Sequence, residues 1–257
     1  MNKNMDPFSL KDKVIIIMGG AGDLGSAIAR MLAQREANVI LVDINSIKLK
    51  QLTNEIINSG GKASWIEADV TNRQEIDLMV KQVLEKYSKI DVLVNAHGVN
   101  VRIPTEDMPL DEWQRIIDIN LKGTFITCQA VGKIMLKQKY GKIINISSTA
   151  AEVGYPWGYS AYSPSKGGIN SLTKTLAVEW GKYGVTVNAI APFFIKTELT
   201  EKFLENKEVF DSIINSIPLK KLGTPEDVAY LVVFLSSSAS DWINGEIIHL
   251  DGGRHAV

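Results

Sequence analysis

The chain has 257 residues, 45% of them apolar, enough for the core of one large α/β domain or two small ones. Its 28 basic and 29 acidic residues leave a net charge of −1, which removes the electrostatic case for nucleic acid or an anionic membrane as a partner. Cys128 is the only cysteine and the three histidines, His97, His249 and His255, are scattered, so neither an intrachain disulfide nor a metal site is expected.

The first apolar run, Val14 to Met18, is five residues long, too short for a signal peptide, and no later run approaches the roughly 18 residues that span a bilayer. A cytoplasmic soluble protein is the reading. No repeat, low-complexity tract or Pro/Ser/Gly-rich linker divides the sequence, so a single domain over 1–257 is expected. Short β-branched runs predict seven strands, at Val14 to Met18, Asn38 to Asp43, Ala63 to Glu67, Val92 to Asn95, Lys142 to Ser147, Val185 to Ile190 and Ile247 to Leu250. Amphipathic stretches between them predict helices over Leu24 to Gln34, Ile47 to Asn58, Gln74 to Tyr87, Glu112 to Lys137 with a break, and Pro225 to Ser236. That rhythm, with apolar strands buried on both faces, implies an α/β fold: a doubly wound, Rossmann-like parallel sheet of seven strands with helices on both sides. Such sheets bind ligands beyond the carboxyl ends of their strands, which puts the chemistry in the loops after strands one, four, five and six.

The first of these loops, in IIIMGGAGDLGSAIARMLA, runs from a strand through glycines into a helix. Gly19, Gly22 and Gly25 let the backbone turn tightly and approach a pyrophosphate, which the free N–H groups and positive end of the helix attract; a plain tight turn would use the same residues. The next strand ends at Asp43, where a carboxylate accepts hydrogen bonds from an adenosine ribose and repels a 2′-phosphate. No Arg or Lys stands in the glycine loop or directly after Asp43, which favours NAD over NADP.

Further on, SSTAAEVGYPWGYSAYSPSK offers a hydroxyl, a phenol and an ammonium. Tyr162 and Lys166 are one helical turn apart, on a helix marked by Ile169, Leu172, Leu176 and Trp180. A neighbouring cation favours the phenolate, so Lys166 is expected to bring Tyr162 towards the working range of a general acid/base. Ser148, at the end of the strand-like run KIINIS, can donate to a substrate oxygen. Alone, YxxxK also describes an exposed tyrosine beside a solvated lysine.

Together these residues resemble the short-chain dehydrogenase/reductase family along nearly the whole chain. The family's TGxxxGxG falls on Met18 to Gly25, its Asp-Val pair on Asp69 and Val70, NNAG on Asn95, Ala96, His97 and Gly98, and its helix asparagine on Asn120. Its active-site serine and YxxxK fall on Ser148, Tyr162 and Lys166; its Pro-Gly segment and following threonine on Pro192 and Thr197; and INGxxxxxDGG on Ile243 to Gly253. The resemblance implies a catalytic set of Asn120, Ser148, Tyr162 and Lys166. Tyr162 would move the proton, Ser148 orient the substrate oxygen, Lys166 lower the Tyr162 pKa and hold the nicotinamide ribose, and Asn120 hold a relay water. It also implies a cofactor cradle that adds Leu24, Ile195 and Thr197 to the glycines, Asp43, Asp69, Val70, Asn95, Ala96, Gly98 and Pro192. Four departures stand out. Asp23 replaces the middle glycine, where it is expected to cap its own helix with its charge turned aside. Met18 and Phe193 replace a threonine and a glycine. His97 replaces a small residue and is read as packed near the adenosine ribose.

For the substrate, VNAHGVNVRIPTEDMPLDEW and AYSPSKGGINSLTKTLAVEWGKYGVTVNAIAPFFIKTELT are similar to the branch of gluconate 5-dehydrogenases and related polyol dehydrogenases. Arg102 could bind a sugar-acid carboxylate through two parallel bonds, or stand solvated or in a subunit contact. Tyr155, Trp157 and Phe194 could line a pocket or simply pack. A 3-oxoacyl carrier-protein reductase shares every catalytic residue and is the alternative; a non-enzymatic nucleotide-binding module is a third. Gly168, Ser171 and Thr175 form a small-residue stripe suited to a symmetry-related helix, and the family implies a homotetramer.

Overall fold

The computed structural model describes residues 6–257. Seven parallel strands, β1 Val14–Met18, β2 Asn38–Asp43, β3 Lys62–Glu67, β4 Val92–Asn95, β5 Gly141–Ile146, β6 Val185–Pro192 and β7 Ile247–Leu250, lie in the order β3-β2-β1-β4-β5-β6-β7. The β1 strand pairs with β2 on one side and β4 on the other, so the strand order reverses there and opens a crevice at its carboxyl end.

Alternation along the strands sends side chains to two separate cores. Ile15 and Ile17 point to one, against α1 Asp23–Ala33, α2 Ser46–Asn58 and α9 Pro225–Ser236; Val14, Ile16 and Met18 point to the other, against α3 Arg73–Tyr87, α5 Gly123–Gln138 and α6 Tyr162–Gly181. The central strands β1, β4 and β5 are buried throughout. The edges are not: β3 is partly exposed along its length and β7 is half-buried, so burial on both faces holds only for the middle of the sheet.

The expected break in the long fourth helix is a π segment, Asp118–Lys122, between α4 Leu110–Ile117 and α5. Widening the helix at this point turns Asn120 fully inward. Two helices without a counterpart in the sequence reading, α7 Glu198–Leu204 and α8 Lys207–Ser216, follow β6. The α8 helix is capped by Asn206, which accepts from the N–H groups of Glu208 and Val209, and its Ile213 packs with Phe194 and Ile217 in a third small core roofing the end of the sheet.

Candidate active site

The glycine loop leaves β1 with Gly19 at φ +79°, and a Cβ there would stand 2.6 Å from the His97 backbone nitrogen. Only glycine lets the loops after β1 and β4 touch in this way. The first intrahelical bond of α1 runs from the Ser26 N–H to the Gly22 carbonyl at 2.8 Å, so the N–H groups of Asp23, Leu24 and Gly25 remain for an anion. Gly22 is the N-cap and carries no side-chain cap, which corrects the expected self-cap by Asp23. Its carboxylate turns aside instead to the first turn of α7, accepting from the Glu198 N–H at 2.6 Å.

Two cavities meet along Ala96, His97 and Gly98. The larger, about 680 Å³, is lined by Gly19, Gly22, Asp43, Asp69 and Val70. Asp43 accepts from the N–H groups of Ala21 (3.2 Å) and Asn45 (3.1 Å), one per oxygen, leaving lone pairs for ribose hydroxyls. Arg115 and Lys122, distant in sequence, also reach this rim, but they pair with Glu112 (2.6 Å) and Asp118 (3.4 Å). Burial, reinforced by the charge on Lys166, drives the His97 pKa down to about 3 and keeps the ring neutral; its Nε2 lies 3.3 Å from Thr124 Oγ1. Asn95 does not face the cleft. Its amide donates to Asn145 (2.9 Å) and accepts from Thr127 (2.8 Å), bracing the Ala96–Gly98 loop from beneath, a role shared by residues the sequence reading passed over.

The second cavity, about 460 Å³, joins Gly22 to Gly25, Ser148, Tyr162 and Lys166 with Pro192, Phe193, Ile195 and Thr197. Ser148 Oγ accepts from the Ala150 N–H at 3.1 Å, which leaves its proton to donate. Lys166 donates to the Ile146 carbonyl at 2.7 Å, and its Nζ lies 5.7 Å from the Tyr162 ring centre. Burial pushes Tyr162 up to about 12, with the Ser148 hydroxyl pulling the other way, and pushes Lys166 down to about 8. The expected lowering of Tyr162 by Lys166 is not found: desolvation of the phenol dominates, and the opposing pull comes from the Ser148 hydroxyl and the Arg102 charge. Asn120 accepts from the Val99 N–H (2.8 Å) and donates to the Val99 carbonyl and Ser165 Oγ (3.0 Å each), so one Oδ1 lone pair is left for a further donor.

Beyond Ser148 and Tyr162 a smaller cavity of about 60 Å³ is lined by Asn100, Arg102, Tyr155, Tyr159, Phe193 and Phe194. Arg102 meets no carboxylate among the described residues: it donates to Tyr159 Oη at 3.2 Å and lies 4.0 Å over the Phe203 ring, with its Nε buried and unpartnered. Trp157 is not part of the lining; it stacks behind Tyr155 at 4.7 Å and packs on Phe194 and Phe203. Tyr159, Phe203 and Asn100 carry no sequence signal that distinguishes them from core residues. The stripe on α6 is divided too. Gly168 packs inside the chain, where a Cβ would stand 2.5 Å from Leu121, while Ser171 and Thr175 are exposed.

The unpaired N–H groups of α1, the low floor at Gly19 and the Asp43 carboxylate fit an extended dinucleotide, with the partly exposed Tyr162 phenol in the adjoining cavity. A switch-point cleft of this kind is the framework of a nucleotide-dependent oxidoreductase.

Comparison with known proteins agrees. A family model described as enoyl-(acyl carrier protein) reductase matches residues 19–255. The chain is 41% identical to a 3-oxoacyl-[acyl-carrier-protein] reductase of Synechocystis over 95% of its length and 98% of the relative's. It is 35% identical to 5-keto-D-gluconate 5-reductase of Escherichia coli K12 over 96% and 97% of the two chains. Its fold superposes with a TM-score of 0.94 on a gluconate 5-dehydrogenase of Burkholderia cenocepacia in complex with NADP and tartrate, at 30% identity and 98% coverage of each chain. The protein belongs to the short-chain dehydrogenase/reductase family and is an oxidoreductase. No helix among the described residues is long and apolar enough to cross a membrane.

Proposed function

We propose that the protein is an NAD-dependent dehydrogenase of the gluconate 5-dehydrogenase kind, interconverting a secondary alcohol and a ketone on a sugar acid or polyol in the cytoplasm. The observation that carries this reading is the buried, unpartnered Nε of Arg102 beside Ser148 and Tyr162: a short anionic substrate supplies the missing acceptor. The nucleotide supplies the hydride acceptor or donor when bound. Gly19, Gly22, Asp23, Leu24, Gly25, Asp43, Asp69, Val70, Ala96, Gly98, Pro192, Ile195 and Thr197 would hold it, with Asn95 supporting from below. Tyr162 gives or takes the proton on the substrate oxygen, and Ser148 donates to that oxygen and stabilises developing charge. Lys166 carries its proton at neutral pH and has two donors beyond the one on Ile146, suited to the nicotinamide ribose and a water. Asp43 favours NAD, although the Burkholderia neighbour carries NADP.

The 41% identity to a 3-oxoacyl carrier-protein reductase favours a second reading. Against it stand the small aromatic-walled cavity and the positive charge inside it, which suit a compact anion better than a long acyl chain. Assembly as a homotetramer is supported by Phe125, Ser171, Thr175 and Val178, exposed on α5 and α6; a monomeric sedimentation profile at micromolar concentration would remove it. The function is tested by assaying polyols, sugar acids and acyl thioesters with both nicotinamide cofactors, on the wild type and Tyr162→Phe. Turnover of a sugar acid with NAD, lost by about 10²- to 10⁴-fold in Tyr162→Phe with cofactor binding retained, is the expected result. Preference for a thioester would replace the reading with the second one.

A further inference from the structure

The three residues Glu152, His249 and His255 come from different parts of the chain: the turn after Ser148, strand β7 and the last turn of the described residues, Arg254–Ala256. Folding joins them, contrary to the expectation of scattered histidines. His249 Nε2 lies 3.2 Å and His255 Nε2 3.5 Å from the same oxygen of Glu152, and the ligand atoms of all three stand within 4.8 Å of one another. The two imidazoles stack with centres 3.9 Å apart.

Each member is also held from outside. The second oxygen of Glu152 accepts from Asn170 Nδ2 at 3.1 Å, which fixes the carboxylate as an outer-shell partner fixes a metal ligand. The His255 N–H donates to Asp251 at 2.7 Å, which sets the turn that carries the ring. His249 is held by its strand.

We propose that Glu152, His249 and His255 form a binding site for a divalent first-row transition ion of the zinc or cobalt type, with positions left open for water. Ligand atoms about 2.0–2.1 Å from a tetrahedral ion stand about 3.3 Å apart, which the two nitrogen-to-oxygen separations already approach. The donor set decides the class: two imidazoles and one free carboxylate oxygen suit zinc or cobalt, whereas calcium and magnesium take more oxygens. The near-parallel rings must turn about their Cβ–Cγ bonds to aim both lone pairs at one ion, and His255, 40% exposed in its side chain, has room to do so. The ion would pin the C-terminal turn and β7 to the loop that leaves Ser148. Its role is structural: Glu152 reaches the catalytic helix only through Asn170, which accepts from Ser147.

The test uses the full chain without an affinity tag, stripped with a chelator and titrated with zinc chloride by calorimetry. One ion per chain is expected, with a rise of about 5–10 °C in the unfolding midpoint at a hundredfold excess over Kd. Cobalt in its place should give the intense visible absorption of a tetrahedral nitrogen–oxygen site. His249→Gln and His255→Gln should each weaken zinc at least about tenfold, while His97→Gln leaves the isotherm unchanged. Glu152→Gln keeps a side chain of the same shape able to bond Asn170, so a loss of affinity there reads ligation rather than misfolding. Absence of zinc binding to the stripped wild type, or an unchanged isotherm in the double variant His249→Gln/His255→Gln, would overturn the proposal and leave the trio as a hydrogen-bonded cluster.

Discussion

Asp23 accepts a 2.6 Å hydrogen bond from the Glu198 N–H, joining the start of α1 to the start of α7 across the mouth of the cofactor cleft. The sequence places these residues 175 positions apart. The bond satisfies an orphan donor of α7 with a carboxylate at the positive end of that helix, and it draws the charge away from where a pyrophosphate would lie.

Removing this cap should loosen α7 without unfolding the sheet. An N-terminal cap is worth about 0.5–2 kcal/mol, so amide exchange in Glu198–Leu204 should speed up by about 2- to 30-fold in Asp23→Ala. Asp23→Asn keeps an acceptor and should fall between. Hydrogen exchange read by mass spectrometry checks it, and unchanged exchange would mean that α7 is held by its packing alone.

His97 gives a pH dependence whose sign is fixed by its depressed pKa. Above the ordinary imidazole value of 6.5 neither folded nor unfolded chain binds the proton; between 6.5 and about 3 only the unfolded chain does. Stability is therefore undiminished above pH 6.5 and falls as the pH drops, by about 1.4 kcal/mol per unit, or about 2 kcal/mol by pH 5. His97→Gln should lack this component. Urea unfolding at pH 7 and pH 5 compares the two proteins, and equal losses in both would show that the ring is not desolvated in solution.

The central strands and the glycine loop were legible because β-branched runs bounded by turn residues leave few alternatives, and because glycines close to a helix start have a physical purpose. The long helix was legible only as broken. Its π segment depends on Asn120 finding Val99 and Ser165, which no local pattern shows. The α7 and α8 helices were missed because they are short and rest on a small core of Phe194, Ile213 and Ile217 assembled from distant segments. Arg102 could be singled out, but its setting under Tyr159 and Phe203 could not, and Asn95 was misplaced because an asparagine ending a strand reads the same whether its amide points into the cleft or beneath it.

Asp43 should set cofactor choice. Hydrogen bonds to a charged group contribute about 1.5–3 kcal/mol, so Asp43→Asn should lower kcat/KM for NAD by about 10- to 150-fold while NADP loses less or improves as the repulsion disappears. Steady-state kinetics with both cofactors decide it. Equal efficiencies in the wild type would show that Arg115 and Lys122 leave Glu112 and Asp118 to receive the 2′-phosphate.

Arg102 should separate acids from neutral alcohols. Its guanidinium is held by Tyr159 and Phe203 with Nε buried and unpartnered, so the side chain is oriented before any substrate arrives. A carboxylate entering beside Ser148 and Tyr162 would complete a charge-assisted pair with little rotamer entropy left to lose. Losing one partner of such a buried pair costs about 2–5 kcal/mol, or roughly 30-fold to several thousand-fold in kcat/KM. Arg102→Ala should therefore depress efficiency on gluconate-like acids by that factor and spare neutral polyols of similar length. Arg102→Lys keeps the charge but loses the planar fork and its stacking on Phe203, so it should fall between. Comparing an acid with its neutral alcohol in all three proteins also controls for damage to the pocket wall, since repacking around Phe203 would slow both substrates alike. Equal losses on the two would assign Arg102 to the architecture of the aromatic wall, and the neutral polyol would then become the substrate that the cavity favours.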